Sequence, residues 1–131
     1  MAYLLDSDWV INALAGRRRA VSPLEHLSAE HIDVSVISLG EVYQQAFEST
    51  NPDAYLGAFR KFIAPFRIIP VTEPMAVRFA EIRALLTRRG ELISDFDMLI
   101  AATALHYNLT VLTFNRKHFS RIPDLALYQP D

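Results

Sequence analysis

Tyr3-Leu4-Leu5-Asp6-Ser7-Asp8-Trp9-Val10-Ile11 places an acid–serine–acid step between two apolar runs. The first run reads as a short buried strand and the second as the start of the first helix. An acid between them sits close to the core, where an ionised carboxylate needs a partner. Four further stretches read as buried strands: Asp33–Val36, Arg67–Val71, Thr110–Thr113 and Leu125–Tyr128. Helical periods separate them. Leu39, Val42, Tyr43, Ala46 and Phe47 fall on one stripe, Met75, Phe79, Ile82 and Leu86 on another. Met98 to Leu105 is apolar nearly all round, as a central helix would be. Asp53 to Ile63 adds a second helix to the crossover between strands two and three. Alternating strands and helices predict a parallel sheet covered on both faces. The expected fold is α/β, a single three-layer α/β/α domain over residues 1–131 with about five strands. In such sheets ligands sit beyond the C-terminal strand ends, near the point where strand order switches.

Composition narrows the chemistry. Of 131 residues, 51% are hydrophobic and 21% charged, a globular balance. The chain has no cysteine, which removes disulfides, thiolate zinc sites and cysteine nucleophiles and fits a reducing compartment. With a net charge of −2, any nucleic-acid binding needs a local basic patch. The N-terminus lacks the basic and apolar regions of a signal peptide. Met98 to Leu105 falls far short of the ~20 residues a membrane span needs. A soluble, cytoplasmic protein with no membrane association is expected.

Carboxylates dominate the segments that should converge. Strand one ends in Asp6-Ser7-Asp8. Strand two runs out in Val36-Ile37-Ser38, with Glu41 in the first helical turn. Ser94-Asp95-Phe96-Asp97 opens the helix that feeds strand four, which ends in Thr113-Phe114-Asn115. Capping accounts for part of this pattern: Ser38-x-x-Glu41 reads as a capping box, and Ser94-x-x-Asp97 approximates one. Asp6 is harder to explain as a cap. Carboxylates meeting away from lysine and arginine repel strongly, and a divalent cation is the natural compensation. Without cysteine, and with only His26, His31, His106 and His118, the donors are oxygens, which favours Mg²⁺ or Mn²⁺ over zinc.

Four segments in order resemble the PIN-domain family, most closely the VapC-type toxins of toxin–antitoxin pairs. They are Tyr-Leu-Leu-Asp6-Ser-Asp8, Ser38-Leu-Gly-Glu41-Val, Ser-Asp95-Phe-Asp97-Met-Leu-Ile-Ala-Ala and Leu-Thr113-Phe-Asn115-Arg-Lys-His-Phe-Ser-Arg-Ile-Pro. The similarity runs from about Tyr3 to Tyr128. It implies an α/β/α fold and a Mg²⁺- or Mn²⁺-dependent endoribonuclease held inactive by a cognate antitoxin. Asp6, Glu41 and Asp97 match the family's acidic triad. Asn115 falls at its fourth acidic position, Asp95 and Asp8 are further candidate contributors, and Thr113 matches a hydroxyl that commonly precedes the fourth position. The resemblance further implies in-line hydrolysis leaving a 5′-phosphate and a 3′-hydroxyl.

Arg116, Lys117 and Arg121 follow strand four and read as either RNA-phosphate contacts or a solvated basic loop, with Thr113 at the strand end a further candidate RNA contact. Arg17-Arg18-Arg19, read as a loop after helix one, is a second candidate, with plain solvation the simpler account. Other classes fit less well. A phosphorelay receiver needs an acceptor aspartate after strand three, where Ile69-Pro70-Val71-Thr72 stands. Gly16, Gly40, Gly57 and Gly90 are scattered and form no phosphate-cradling loop, and no Gly-x-Ser-x-Gly elbow occurs. A housekeeping RNA-processing nuclease and a non-catalytic PIN-like scaffold stay open. Leu39 to Phe66 carries Tyr43, Phe47, Tyr55, Phe59, Phe62 and Phe66, more aromatics than one face readily buries. They read either as core or as a protein-binding surface, and with the resemblance they suggest a homodimer and an antitoxin groove.

Overall fold

Strand β1 (Ala2–Leu5) takes the interior of the sheet because it is apolar on both sides: Leu4 points to one face, Tyr3 and Leu5 to the other. The computed structural model describes residues 1–130. After β1 come α1 (Ser7–Leu14), α2 (Arg18–His26), β2 (His31–Ser35), α3 (Val36–Glu48) and α4 (Pro52–Ile63). Then follow β3 (Arg67–Ile69), α5 (Glu73–Arg89), α6 (Asp95–Tyr107), β4 (Thr110–Leu112) and α7 (Arg116–Phe119). The strands are all parallel in the order β3-β2-β1-β4. The chain leaves β1 toward β2 and β3, then returns past β1 to add β4, so the order reverses between β1 and β4.

Helices cover both faces, as the strand–helix alternation requires. On one side Leu4 and Val111 meet Met75, Ile82 and Leu86 of α5 and Met98, Ile100 and Ala101 of α6. Opposite them, Tyr3, Leu5, Val34 and Leu112 meet Trp9 and Val10 of α1, Ala20 of α2, Val42 of α3 and Phe59 of α4. The expected α/β/α domain is therefore observed, with four strands in its sheet. Leu125–Tyr128 runs beside β4 but makes a single bridge, Leu127 to Val111. Its backbone bonds, Val111 N–H to Ala126 O and Tyr128 N–H to Val111 O, are two, too few to carry a strand.

Two local expectations change. β2 stops at Ser35, whose hydroxyl accepts the Ile37 N–H at 3.1 Å and so caps α3. The cap thus lies three residues before Ser38, which is buried within the helix, and Glu41 falls in its second turn. Arg17-Arg18-Arg19 is not a loop: Arg18 and Arg19 open α2.

β2 also carries a fully buried acid. Register sets Asp33 abreast of Leu4 and Arg67. The Arg67 guanidinium donates twice to Asp33, at 3.1 and 2.9 Å, and His31 Nε2 lies 2.8 Å from the same carboxylate. This fork ties β2 to β3 at the end of the sheet away from the strand C-termini. Removing one partner of a buried pair costs more than removing both, because it strands a charge. Arg67→Leu is therefore expected to lower the melting temperature more than the Asp33→Leu/Arg67→Leu double variant, as read by thermal circular dichroism.

Candidate active site

Asp6 is the residue after β1 and the N-cap of α1, and pairing with β4 fixes its backbone: its N–H donates to Leu112 O at 2.9 Å. Its carboxylate is 4% exposed. It accepts the Ser7 N–H at 2.8 Å and the Thr113 hydroxyl at 2.8 Å from the end of β4. Asp8 turns to the same place. Its Oδ2 accepts the Phe114 N–H at 3.0 Å, while Oδ1 is buried with no partner. Glu41 arrives from α3 and accepts the Ser7 hydroxyl at 2.9 Å.

Asp97 completes the group from the first turn of α6. Ser94 caps that helix as its spacing suggests, accepting the Asp97 N–H at 3.1 Å, which leaves the Asp97 carboxylate free to face the other acids. Asn115 precedes α7, where an asparagine normally caps, yet its side chain makes no capping bond. Its amide nitrogen instead lies 3.2 Å from Asp97 Oδ2 and 2.8 Å from His118 Nδ1. Caps, strand pairing and one diverted asparagine thus bring four carboxylates to the point where strand order reverses, the crevice in which α/β sheets hold ligands.

The charges interact. Burial, followed by the neighbouring Asp8 charge, pushes Asp6 up to about 8 against the pull of the Thr113 and Ser7 bonds. Burial likewise pushes Asp8 up to about 6, opposed first by the Phe114 N–H. Glu41 is raised by burial, with the Ser7 hydroxyl opposing and the Asp97 charge adding. Asp97 therefore acts on all three. Among the described residues the one basic group at ion-pair range of these four acids is His118, 3.7 Å from Asp97 Oδ2.

Asp6, Glu41, Asp97, Asp8, Thr113 and Asn115 are brought together; Asp95 is not. It is 65% exposed and pairs with Arg83 at 3.4 Å. Arg116 donates to Tyr128 O at 2.7 Å and Arg121 to Glu91 O and Leu92 O, so both brace the fold, while Lys117 is exposed. Two participants escaped the sequence reading. Ser7 was visible only as the middle of Asp-Ser-Asp, and His118 only as the third residue after Asn115, one helical turn on.

The donor set suits a hard divalent cation: every acid offers oxygen, and buried Asp8 Oδ1 has no protein partner. Hydroxyls and the Asn115 amide are interleaved with the acids, so among the described residues no three acids or histidines form a ready-made metal cage. Ser7, Thr113 and Asn115 would remain as the shell orienting the acids around such an ion.

The PIN-domain family model matches residues 3–125, and the chain belongs to that family. It is 32% identical over 124 residues to Ribonuclease VapC1 of Methanocaldococcus jannaschii, covering 95% of this chain and 83% of that one. It is 26% identical over 127 residues to the tRNA(fMet)-specific endonuclease VapC of Salmonella typhimurium, covering 97% and 96%. The crystal structure of VapBC2 from Rickettsia felis bound to a promoter DNA fragment superposes with a TM-score of 0.92 at 28% identity, covering all of both chains.

A raised folded-state pKa means the native protein holds the Asp6 proton more tightly than the unfolded chain. That contribution to stability is full below the ordinary value of 3.8 and is lost as pH rises toward 8. In chelator, the wild-type melting temperature should fall relative to that of Asp6→Asn as pH goes from 5 to 8. Parallel curves would show that Asp6 is not the buried proton holder.

Proposed function

We propose that this protein is a divalent-metal-dependent endoribonuclease, the toxin of a toxin–antitoxin pair. The observation that carries the chemistry is the meeting of Asp6, Asp8, Glu41 and Asp97 with a buried, unpartnered Asp8 oxygen and, among the described residues, His118 as the one base at ion-pair range. The ribonuclease names of its relatives supply the reaction class.

Asp6, Asp8 and Asp97, with Glu41 beside them, would hold Mg²⁺ or Mn²⁺. Such an ion would supply Lewis acidity toward a water molecule and charge neutralisation for an RNA phosphate. The chain's own residues set that arrangement. Thr113 and the Ser7 N–H fix both oxygens of Asp6, the Phe114 N–H turns Asp8, and Ser7 Oγ points Glu41 inward. Asn115 steers Asp97, a positioning task that a neutral amide performs without adding charge.

The partner reading rests on the likeness to VapBC and on an exposed aromatic surface. Of the six aromatics between Leu39 and Phe66, Phe59 is core, and Tyr55, Phe62 and Phe66 are half-buried against it. Tyr43 and Phe47, at 37% and 66% exposure, stack on the outer side of α3 with centroids 6.5 Å apart. That pair is the surface for a second copy or for the antitoxin.

With Mg²⁺ or Mn²⁺ the wild type should cut labelled RNA, and chelator should stop it. Asp6→Asn, Glu41→Gln and Asp97→Asn should each lose about 100-fold or more in rate, on the scale of lost acid–base and metal catalysis. Asp95→Asn should stay close to wild type. Cleavage that survives chelator or Asp6→Asn refutes the metal site.

Light scattering at micromolar concentration should give twice the chain mass. Tyr43→Ala/Phe47→Ala should shift that toward the monomer or weaken antitoxin binding; no effect on either would remove this surface.

A further inference from the structure

Beside the carboxylates lies a groove of about 620 Å³, walled by Arg18, Arg19, Ser22 and His26 of α2 and by Phe114 and Tyr128. Phe114 joins the groove to the acids. It sits between Thr113 and Asn115, which hold Asp6 and Asp97, and its own N–H holds Asp8. Its ring lies flat on Trp9, with centroids 4.2 Å apart and planes within 4°. The Arg19 guanidinium stands over the ring at 4.6 Å. Tyr128 sets its edge against the same Trp9 at 6.1 Å and 86°.

The arrangement is built, with its parts tied to the core. The Trp9 indole N–H donates to Ala20 O at 3.0 Å, which anchors α2, and with it both arginines, to α1. Arg17 donates to Asn12 Oδ1 at 2.6 Å and holds the start of α2. Among the described residues the groove lining contains three basic side chains and no acid. Arg18 reaches Glu25 at 3.3 Å, but both are well exposed, so that pair yields readily to a stronger anion. In a chain of net charge −2, a basic strip joined through Phe114 to an acidic centre is a local inversion of sign.

We propose that this groove receives the nucleotide adjoining the scissile phosphate of a single-stranded RNA. A base stacks on the outer side of the Arg19 guanidinium, against the edges of Phe114 and Tyr128, and its phosphate is taken by Arg18. Aromatic or guanidinium planes beside a cationic edge are the chemistry by which proteins hold unpaired RNA bases. An arginine over an aromatic ring is already positioned for a third layer. The groove also resolves an electrostatic difficulty, because it gives a polyanion a point of attachment next to four acids. This assignment rests on the ribonuclease reading.

The test uses a fluorescein-labelled, mixed-sequence single-stranded RNA 12-mer and the Asp97→Asn variant as a non-cutting background. Anisotropy should show binding weakened about tenfold or more by Arg18→Ala/Arg19→Ala, with a shallower salt dependence. Arg88→Ala/Arg89→Ala, on the C-terminal turn of α5, serves as the charge-matched control and should bind as the background does. Photo-crosslinking of a 4-thiouridine RNA to the unsubstituted chain should label Phe114, Tyr128 or a neighbour on α2, a readout independent of any variant's folding. Equal binding by both arginine doubles, or crosslinks confined elsewhere, overturns the groove while leaving a wild type that cuts RNA intact. Should Arg18→Ala/Arg19→Ala lose antitoxin and keep RNA, the groove belongs to the antitoxin and the proposal falls. If the wild type neither binds nor cuts RNA, the ribonuclease reading falls with it.

Discussion

Asp6 sits at the C-terminal end of a strand paired on both edges and covered on both faces, so water reaches it poorly. Most of the site follows from that placement. A carboxylate there must be hydrogen-bonded, and the Ser7 N–H and Thr113 hydroxyl are the donors that α1 and β4 bring within reach. Their bonds only partly offset the burial, which is why its proton is held so tightly. Burial raises Asp8 and Glu41 as well, with the Asp97 charge adding to each, and the crevice becomes a place where positive charge is welcome.

The other buried acid shows the contrast. Asp33 is as deep as Asp6 but carries its counter-charge with it in the Arg67 fork, with the His31 ring also within hydrogen-bond distance. Its contribution is the joining of β2 to β3. Both acids lie next to the sheet, yet one is closed off by its own chain and the other left open toward a ligand. Neutral Asn115 fits this division: it orders Asp97 without satisfying its charge.

Much of this was legible before any coordinates. Strand–helix alternation gave the layers, and the apolar-then-acid step at Leu5-Asp6 gave the centre, because both depend on short-range patterns. Asp97 was legible through its cap at Ser94. Less legible were choices between neighbours with equal credentials. Ser35 and Ser38 both suit a cap, and the geometry of β2, invisible in the letters, selected Ser35. Asp95 and Asp97 sit on the same turn, and only the position of Arg83 on α5 separates them. Arg19 looked like solvated charge, since its ring partner Phe114 lies 95 positions along the chain. The last stretch, Leu125–Tyr128, has strand composition but pairs too briefly to join the sheet.

The Thr113–Asp6 bond spans 107 residues, and the acids it helps to order come from both ends of the chain. Until β4 docks on β1, Asp6 has neither its hydroxyl donor nor its low-dielectric wall. A chain emerging from the ribosome, at about 5–20 residues per second, carries Asp6, Asp8 and Glu41 for seconds as separate, solvated acids. Asp97 and the closing strand arrive last. The topology thus delays assembly of the four-acid crevice until the end of synthesis, and a truncated product that ends before β4 never assembles it. Nothing more than the order in which the strands leave the template keeps these acids apart until the chain is nearly whole.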